Sequence, residues 1–539
     1  MEPITVKYKV LDLRAKTPAY ATPGSAAADL CAVLDEPLTV QPMQRVLVPT
    51  GLAIELPGAH AVALVYARSG LSIKHGLCMA NGVGVVDSDY RGELKCPDEV
   101  VAPLLAYAKE QGLVEEGEEE FFTSDLLDIL SPRPSEVTEK FAAEYRRNPE
   151  KAFDGLYDLG VKNDYVKLSA IEKNKCWIAE TTKNKIEITI NLSKPEKNNK
   201  QTAKLRNVSA GYPKCMLCRE NVGYVGQGRT RRNMRTVPLT LAGEEWFWQY
   251  SPYAYFYQHG IAINAKHTPM VLDGKTFLKL LDFVDYAPQY FIGSNAPLPI
   301  VGGSILAHEH FQGGKHSFPM FKAPTALELV SPDAGVKASL PDWYNSVVLL
   351  QGKDKGAIVA LAEKVLGKWL DYSDESVGII AKTDAPHNTL APIARKEGGK
   401  YFLYLLLRNN RCDEENPDGI FHAHKEYHNI KSESIGLIEA MGRFILPGRL
   451  DYQLKEVEKF LTGENKEIAE NMTIHKNMIS SLLKEYGDKL SEEQAHEAVF
   501  GRVEKVCESI LDNTAVFKRD GRGRAAFLRF LSECGFSAK

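Results

Sequence analysis

Two short stretches of this 539-residue chain carry the residue types that do metal and covalent chemistry. The first is CMLC, Cys215–Cys218. A C-x-x-C pair offers two thiolates from one tight turn, which suits tetrahedral zinc or a redox dithiol, with plain packing as the third reading. The chain has no second C-x-x-C, so any further ligands of a metal here are histidine or carboxylate. The second stretch is VGGSILAHEHFQGG, residues 301–314. Its apolar run SILA predicts a strand, on which alternate residues share a face. His308, His310 and Gln312 then project together. One imidazole could complete a metal site, the next could act as nucleophile or base, and the amide could hold an oxygen of a reacting group. A pair of hydrogen-bonded core histidines would give the same local pattern.

Those residues need a scaffold, and the chain is long enough for three or four domains. Hydrophobic residues make up 44% and charged residues 25%, an ordinary globular balance. A net charge of -4 gives no electrostatic reason to expect nucleic acid or an acidic membrane as partner. The start lacks a basic segment followed by an apolar one, no run is long enough to span a bilayer, and nine scattered cysteines do not form a disulfide framework. The expectation is a cytoplasmic protein.

Texture changes along the chain. Residues 1–95 read as short strands between Gly/Pro turns, and 98–162 as helices with apolar residues three and four apart. Ser135, after the break SPRP, reads as an N-cap. CWIAETTKNKIEITINL predicts a hairpin around TTKNK. KPEKNNKQTAKLR, which lacks interleaved aromatics, reads as a solvated hairpin edge and not as a nucleic-acid patch. Mixed strand and helix signals run to about residue 450, and the tail is helical.

From about residue 98 to the end, the chain resembles the class II galactose-1-phosphate uridylyltransferases, relatives of the histidine-triad superfamily. YPKCMLCREN, GEEWFWQYSPYAYFYQHGIAINAKHTPM, YFIGSNAPLPIVGGSILAHEHFQGG, PHNTLAPIARK, LLRNNR, GIFHAHKEYHNIK and SIGLIEAMGRFILPGRL carry the likeness. It implies transfer of UMP from UDP-glucose to galactose 1-phosphate, by a ping-pong mechanism through a uridylylated histidine. His310 falls at the nucleophile position, and Gln312 at that of an amide bonding the uridylyl phosphate. Cys215, Cys218, His267 and His308 fall at zinc-ligand positions of the class I enzymes, which implies a closed structural Cys₂His₂ site. Glu309 departs from that pattern, which has proline between the histidines. Asn295 is placed for nucleotide contacts, Arg408 and Arg411 for phosphate, and His422, His424 and His428 for the sugar side.

Residues 1–95 resemble a different family, the homotrimeric dUTP diphosphatases. PGSAAADL, ARSGLSIKHGL and NGVGVVDSDYRGEL match its first three motifs in order and spacing. The resemblance implies that Asp29 supports magnesium–triphosphate binding and that Arg68, Ser69 and Gly70 contact phosphate. Asn81 would contact uracil, Asp87 activate water and Tyr90 pack on deoxyribose. The fourth motif and the glycine-rich closing arm are missing, so weak or absent dUTP hydrolysis is expected, with Mg²⁺ only if that nucleotide binds.

The expected fold is α+β and multidomain. A truncated all-β, jelly-roll-like segment (1–95) precedes a helical lead-in (96–163). A half carrying C-x-x-C and H-x-H (164–325) and a second half with a helical tail (326–539) follow, both histidine-triad-like. UDP-glucose, UDP-galactose and hexose 1-phosphates are the expected partners, without nucleic acid or membrane, and the resemblance leaves room for a homo-oligomer. Two alternatives stand beside this reading: a bifunctional fusion that also hydrolyses dUTP, and a non-catalytic zinc-stabilised nucleotide-binding module.

Overall fold

The computed structural model describes the chain except residues 1–5, 11–13, 21–24, 26, 35–47, 57–62, 67–83, 87–96, 116–117, 194–211, 227–230 and 304. The chain divides into two compact units, Met1–Val100 and Val101–Lys539. In the first, strand β1 (Lys7–Val10) pairs antiparallel with β2 (Leu52–Glu55), and β3 (Ala63–Val65) with β4 (Gly84–Val86). Val33, Leu52, Ala53 and Leu56 are its buried apolar residues among those described.

The second unit is α+β. Helix Pro97–Glu110 runs across the division, and helices Glu119–Leu130, Pro134–Tyr145 and Pro149–Lys162 follow, as the apolar spacing predicts. Ser135 is not the cap. Arg133 is, with its backbone N–H donating to Glu136 Oε2 at 2.9 Å, because Pro134 takes the first helical position. The hairpin expected around TTKNK forms from β5 (Lys175–Glu180) and β6 (Lys185–Asn191). β6 pairs in parallel with β17 (Arg443–Pro447), giving a three-stranded sheet. KPEKNNKQTAKLR lies outside the described residues.

The remaining strands form one sheet, eleven strands wide among the described residues. In chain order they are β7 (Val237–Leu241), β8 (Glu244–Tyr250), β9 (Gly260–Asn264), β10 (Phe291–Gly293), β11 (His310–Gly314), β12 (Thr325–Val330), β13 (Lys337–Pro341), β14 (Val347–Gly352), β15 (Asn388–Glu397), β16 (Lys400–Asn409) and β18 (Ser537–Ala538). In space the order is β18-β12-β13-β14-β16-β15-β10-β11-β9-β8-β7, so the strands before and after residue 320 meet where β10 pairs with β15.

Both faces of this sheet are buried, in keeping with the near-continuous apolar runs of its central strands, VVLL in β14 and YFLYLLL in β16. Leu403, Leu405 and Leu407 of β16 join Val348 and Leu350 of β14 in one core, packed with helices Pro149–Lys162, Gly274–Tyr286, Lys355–Asp371 and Gly521–Glu533. Tyr404, Leu406, Val347 and Leu349 enter a second core with the three-stranded sheet and helices Leu450–Leu461, Lys476–Tyr486 and Glu492–Thr514. Phe311 of β11 belongs to the first core. By strand alternation, His310 and Gln312 therefore face the other side. No described helix is long and apolar enough to cross a membrane.

One correction concerns the strand itself. Residues 305–307 of SILA are not in a strand, Ser304 lies outside the described residues, and β11 begins only at His310. The backbone before it serves other partners: Met270 N–H donates to Leu306 O at 2.9 Å and Glu309 N–H to Thr268 O at 2.7 Å.

Trp248 anchors the first core, its ring centroid 5.0 Å from Phe283, 5.7 Å from Tyr290 and 5.9 Å from Phe153. Trp248→Ala is expected to cost about 3–5 kcal/mol, the usual loss for a buried large aromatic. Thermal unfolding beside the parent measures it, and an unchanged midpoint would contradict this packing.

Candidate functional site

The site grows from the Cys215–Cys218 turn. Cys218 N–H donates to Cys215 O at 3.2 Å, and Asn221 Nδ2 closes the turn on the carbonyls of Cys215 (2.9 Å) and Cys218 (2.7 Å). Leu217, between the two, packs on Phe247 of β8 and Ile263 of β9, which pins the turn to the sheet. Ile263 is the register partner of His310. The turn and the H-x-H segment therefore meet although some 90 residues separate Cys218 from His308.

The four expected ligands converge. Sγ of Cys215 lies 3.7 Å from Sγ of Cys218 and 3.3 Å from His308 Nδ1, and Cys218 Sγ lies 3.2 Å from His267 Nδ1. All four ligand atoms lie within 4.8 Å of one another. Zinc bonds of roughly 2.3 Å to sulfur and 2.0 Å to nitrogen imply tetrahedron edges of about 3.3–3.8 Å, so the set fits such an ion. The donor types fit as well. Burial pushes the Cys218 thiol up to about 11 without a cation, so metal binding there must release its proton. His308 Nε2 donates to Asn264 O at 2.8 Å. A carbonyl only accepts, so Nε2 carries the ring proton and Nδ1 presents its lone pair to the cluster.

The same residue sets the next histidine. His310 Nδ1 donates to the His308 carbonyl at 2.7 Å, which leaves the His310 Nε2 lone pair uncommitted. His310 is buried, and that burial, with His308 nearby, holds its pKa below the usual histidine range. The neutral ring is the form a nucleophile needs. Two residues on, Gln312 Oε1 lies 3.1 Å from His259 Nε2.

Glu309, between the histidines, is buried in a network that spacing alone did not reveal. It accepts from Asn264 Nδ2 at 2.7 Å and from Lys279 Nζ at 2.9 Å, and Lys279 also reaches Glu244 at 2.9 Å. Burial would lower Lys279, yet the two carboxylates hold it above the ordinary lysine range. Its ammonium sits 5.1 Å from the Trp246 ring centroid, and Trp246 stacks on Phe311 at 4.7 Å. A proline at 309 would supply neither bond.

The remaining expected residues divide into two groups. Asn295 Oδ1 accepts from Leu437 N at 3.0 Å, Arg408 Nη2 donates to Ile435 O at 2.9 Å, and His422 Nε2 accepts from Ile435 N at 3.0 Å. These three hold one segment, 435–437. Arg408 is only 1% exposed, and its Nε and Nη1 have no hydrogen-bond partner among the described residues. Arg411 donates to Gly378 O at 2.8 Å, His424 to Ile420 O at 3.1 Å, and His428 to Ala423 O at 3.2 Å, each away from that segment. In the first unit, Asp29 N–H donates to Ala19 O at 3.0 Å. Arg68, Ser69, Gly70, Asn81, Asp87 and Tyr90 lie outside the described residues.

Comparison with known proteins places the arrangement. A model of the galactose-1-phosphate uridyl transferase N-terminal domain matches residues 90–269, and one of its C-terminal domain matches 283–478. The galactose-1-phosphate uridylyltransferase of Caldanaerobacter subterraneus subsp. tengcongensis is 42% identical over 84% of this chain and 92% of its own length. The chain belongs to the galactose-1-phosphate uridylyltransferase family. Relatives of that name from Streptococcus thermophilus (43% identical, 84% of this chain and 92% of theirs) and Fusobacterium nucleatum (41%, 81% and 89%) agree. Residues 14–97 match a dUTPase model instead, ending where helix Pro97–Glu110 begins. Among solved structures, yeast Ap4A phosphorylase Apa2 bound to Ap4A covers 62% of this chain and 96% of its own at 10% identity and a TM-score of 0.33, too low to support any inference.

Within this family member, the Glu309 network is the departure with a measurable cost. Glu309→Gln removes the charge facing Lys279 and is expected to destabilise by about 1–3 kcal/mol. Urea unfolding reads that loss, and a variant as stable as the parent would show the network to be idle.

Proposed function

We propose that this chain exchanges UMP between UDP-glucose and galactose 1-phosphate through a uridylyl intermediate on His310. The observation that carries the reading is the His310 ring: Nδ1 is engaged by the His308 carbonyl, and Nε2 is left with a free lone pair two residues from a side-chain amide.

In the first half-reaction His310 Nε2 attacks the α-phosphorus of UDP-glucose. A P–N bond forms, the bond to the bridging oxygen breaks, and glucose 1-phosphate leaves with the electron pair. The ring becomes cationic, and the His308 carbonyl on Nδ1–H stabilises that charge. In the second half-reaction a phosphate oxygen of galactose 1-phosphate attacks the same phosphorus, the P–N bond breaks, and the ring recovers its lone pair. No net proton moves. Gln312 donates to the phosphoryl oxygens and stabilises charge growing there without proton transfer. The phosphoramidate conserves the reactivity of the sugar nucleotide between the two steps.

Cys215, Cys218, His267 and His308 would hold zinc, which supplies a closed structural centre that orients His308 and, through its carbonyl, His310. The second unit then reads as a helical lead-in followed by two histidine-triad-like halves, and the first as a shortened jelly-roll.

Incubation with uridine-labelled UDP-glucose, quenched in alkali to preserve the phosphoramidate, is expected to leave about one label per chain on His310. His310→Ala should take none. A folded, metal-replete parent that stays unlabelled would end this reading. The purified chain should hold about one zinc, and Cys218→Ser should lose it together with thermal stability; a variant with undiminished zinc would refute the ligand set.

The match over 14–97 raises dUTP hydrolysis as a second reading. Because the fourth motif and the closing arm are absent from the sequence, incubation with dUTP and Mg²⁺ should release no diphosphate above background.

A further inference from the structure

His259, in the stretch GEEWFWQYSPYAYFYQHGIAINAKHTPM, is 3% exposed and touches the reacting strand at Gln312. Its two ring nitrogens have different partners. Tyr255 N–H points at Nδ1 from 3.4 Å, and Gln312 Oε1 lies 3.1 Å from Nε2. A backbone amide only donates, so Nδ1 must accept and Nε2 must carry the proton. Nε2–H then needs an acceptor, and the only acceptor of the Gln312 amide is its oxygen. The opposite amide orientation would force the ring proton onto Nδ1, against the Tyr255 N–H. Burial pushes His259 down to about 4, so this single neutral tautomer persists across the physiological range.

The ring is also held rigidly. It lies 5.3 Å from the Tyr255 ring at an interplanar angle of 28° and 4.5 Å from Phe256. The preceding Gln258 has φ +54°, a left-handed conformation uncommon outside glycine. Two buried tyrosines and a half-buried carboxylate hold it: Tyr290 OH donates to Gln258 Oε1 at 2.5 Å, Gln258 Nε2 donates to Asp154 at 2.7 Å, and Tyr250 OH lies 3.0 Å from Tyr290 OH. The following Gly260 has no room for a Cβ, which would fall 2.2 Å from the Trp248 ring. A turn over-determined in this way, at a strained residue, is characteristic of functional sites.

We propose that His259 is a positioning residue for uridylyl transfer, holding the Gln312 oxygen so that the amide NH₂ is presented to the phosphoryl oxygens. The inference rests on the proposed function, in which Gln312 is the donor. The relay runs from Tyr255 N–H through the His259 ring to the Gln312 oxygen, and ends on the amide protons that meet the substrate. A freely rotating amide would spend half its time offering an oxygen to an anion, which repels it.

The test is single-turnover labelling of the full-length, metal-replete chain by uridine-labelled UDP-glucose, with thermal unfolding recorded for each variant. His259→Phe keeps the ring stacking and removes the donor; it should slow labelling by about tenfold to a hundredfold, as loss of a supporting hydrogen bond commonly does. His259→Gln restores an N–H near the Nε2 position and should recover most of the rate. In a Gln312→Leu background, His259→Phe should cause no further loss, because its effect passes through the amide. The inference is overturned if His259→Phe labels at the parental rate, if His259→Gln is as slow as His259→Phe, or if the two losses multiply in the double variant. An unlabelled parent would instead remove the proposed function itself, so the two failures are distinguishable.

Discussion

The peptide of His308 is the constraint on which the site depends. Its imidazole donates to the Asn264 carbonyl and turns Nδ1 toward two thiols, while its own carbonyl accepts the Nδ1 proton of His310. One residue thus couples a Cys/His cluster that could hold a metal to the tautomer of the neighbouring histidine. Neither bond is strong by itself, since a neutral hydrogen bond nets roughly 1 kcal/mol. Their value is directional: each removes one of the two nitrogens of a ring from competition.

The sheet makes that coupling rigid. Strand alternation sends Phe311 into the core shared with Trp246 and Trp248, so His310 and Gln312 must occupy the opposite face. A one-residue slip of β11 would exchange those faces, and the buried aromatic makes such a slip expensive. The Glu309–Lys279–Glu244 group adds a second lock at the strand's entrance. Buried ions are costly unless each is paired, and here every charge has a partner within 3 Å. A proline at this position would restrict the backbone directly; the carboxylate does so through a helix residue, Lys279.

Much of this was legible from residue types. The four metal-ligand candidates meet as expected, and the helical lead-in, the TTKNK hairpin and the helical tail all form. The errors share a cause. Ile305 of SILA packs against the cluster of Leu217, Phe247 and Ile263, a demand that a strand and a loop satisfy equally well. Ser135 has the right side chain for a cap, but Pro134 had already begun the helix.

The sequence by itself determined the inventory: two thiols in one turn, a histidine pair with an amide two residues on, an α+β chain, and family membership through dense local likeness. It also carried two unlike motif sets, one over residues 1–95 and one from about residue 98. Tertiary structure alone decided which nitrogen of each histidine is free, which way the Gln312 amide points, and what neutralises Glu309. Except for His310, whose partner is the carbonyl two residues before it, those properties rest on partners 30 to 53 residues away, Lys279 for Glu309, Asn264 for His308 and His259 for Gln312. A tautomer is a relation between two groups in space, and local spacing encodes only one of them.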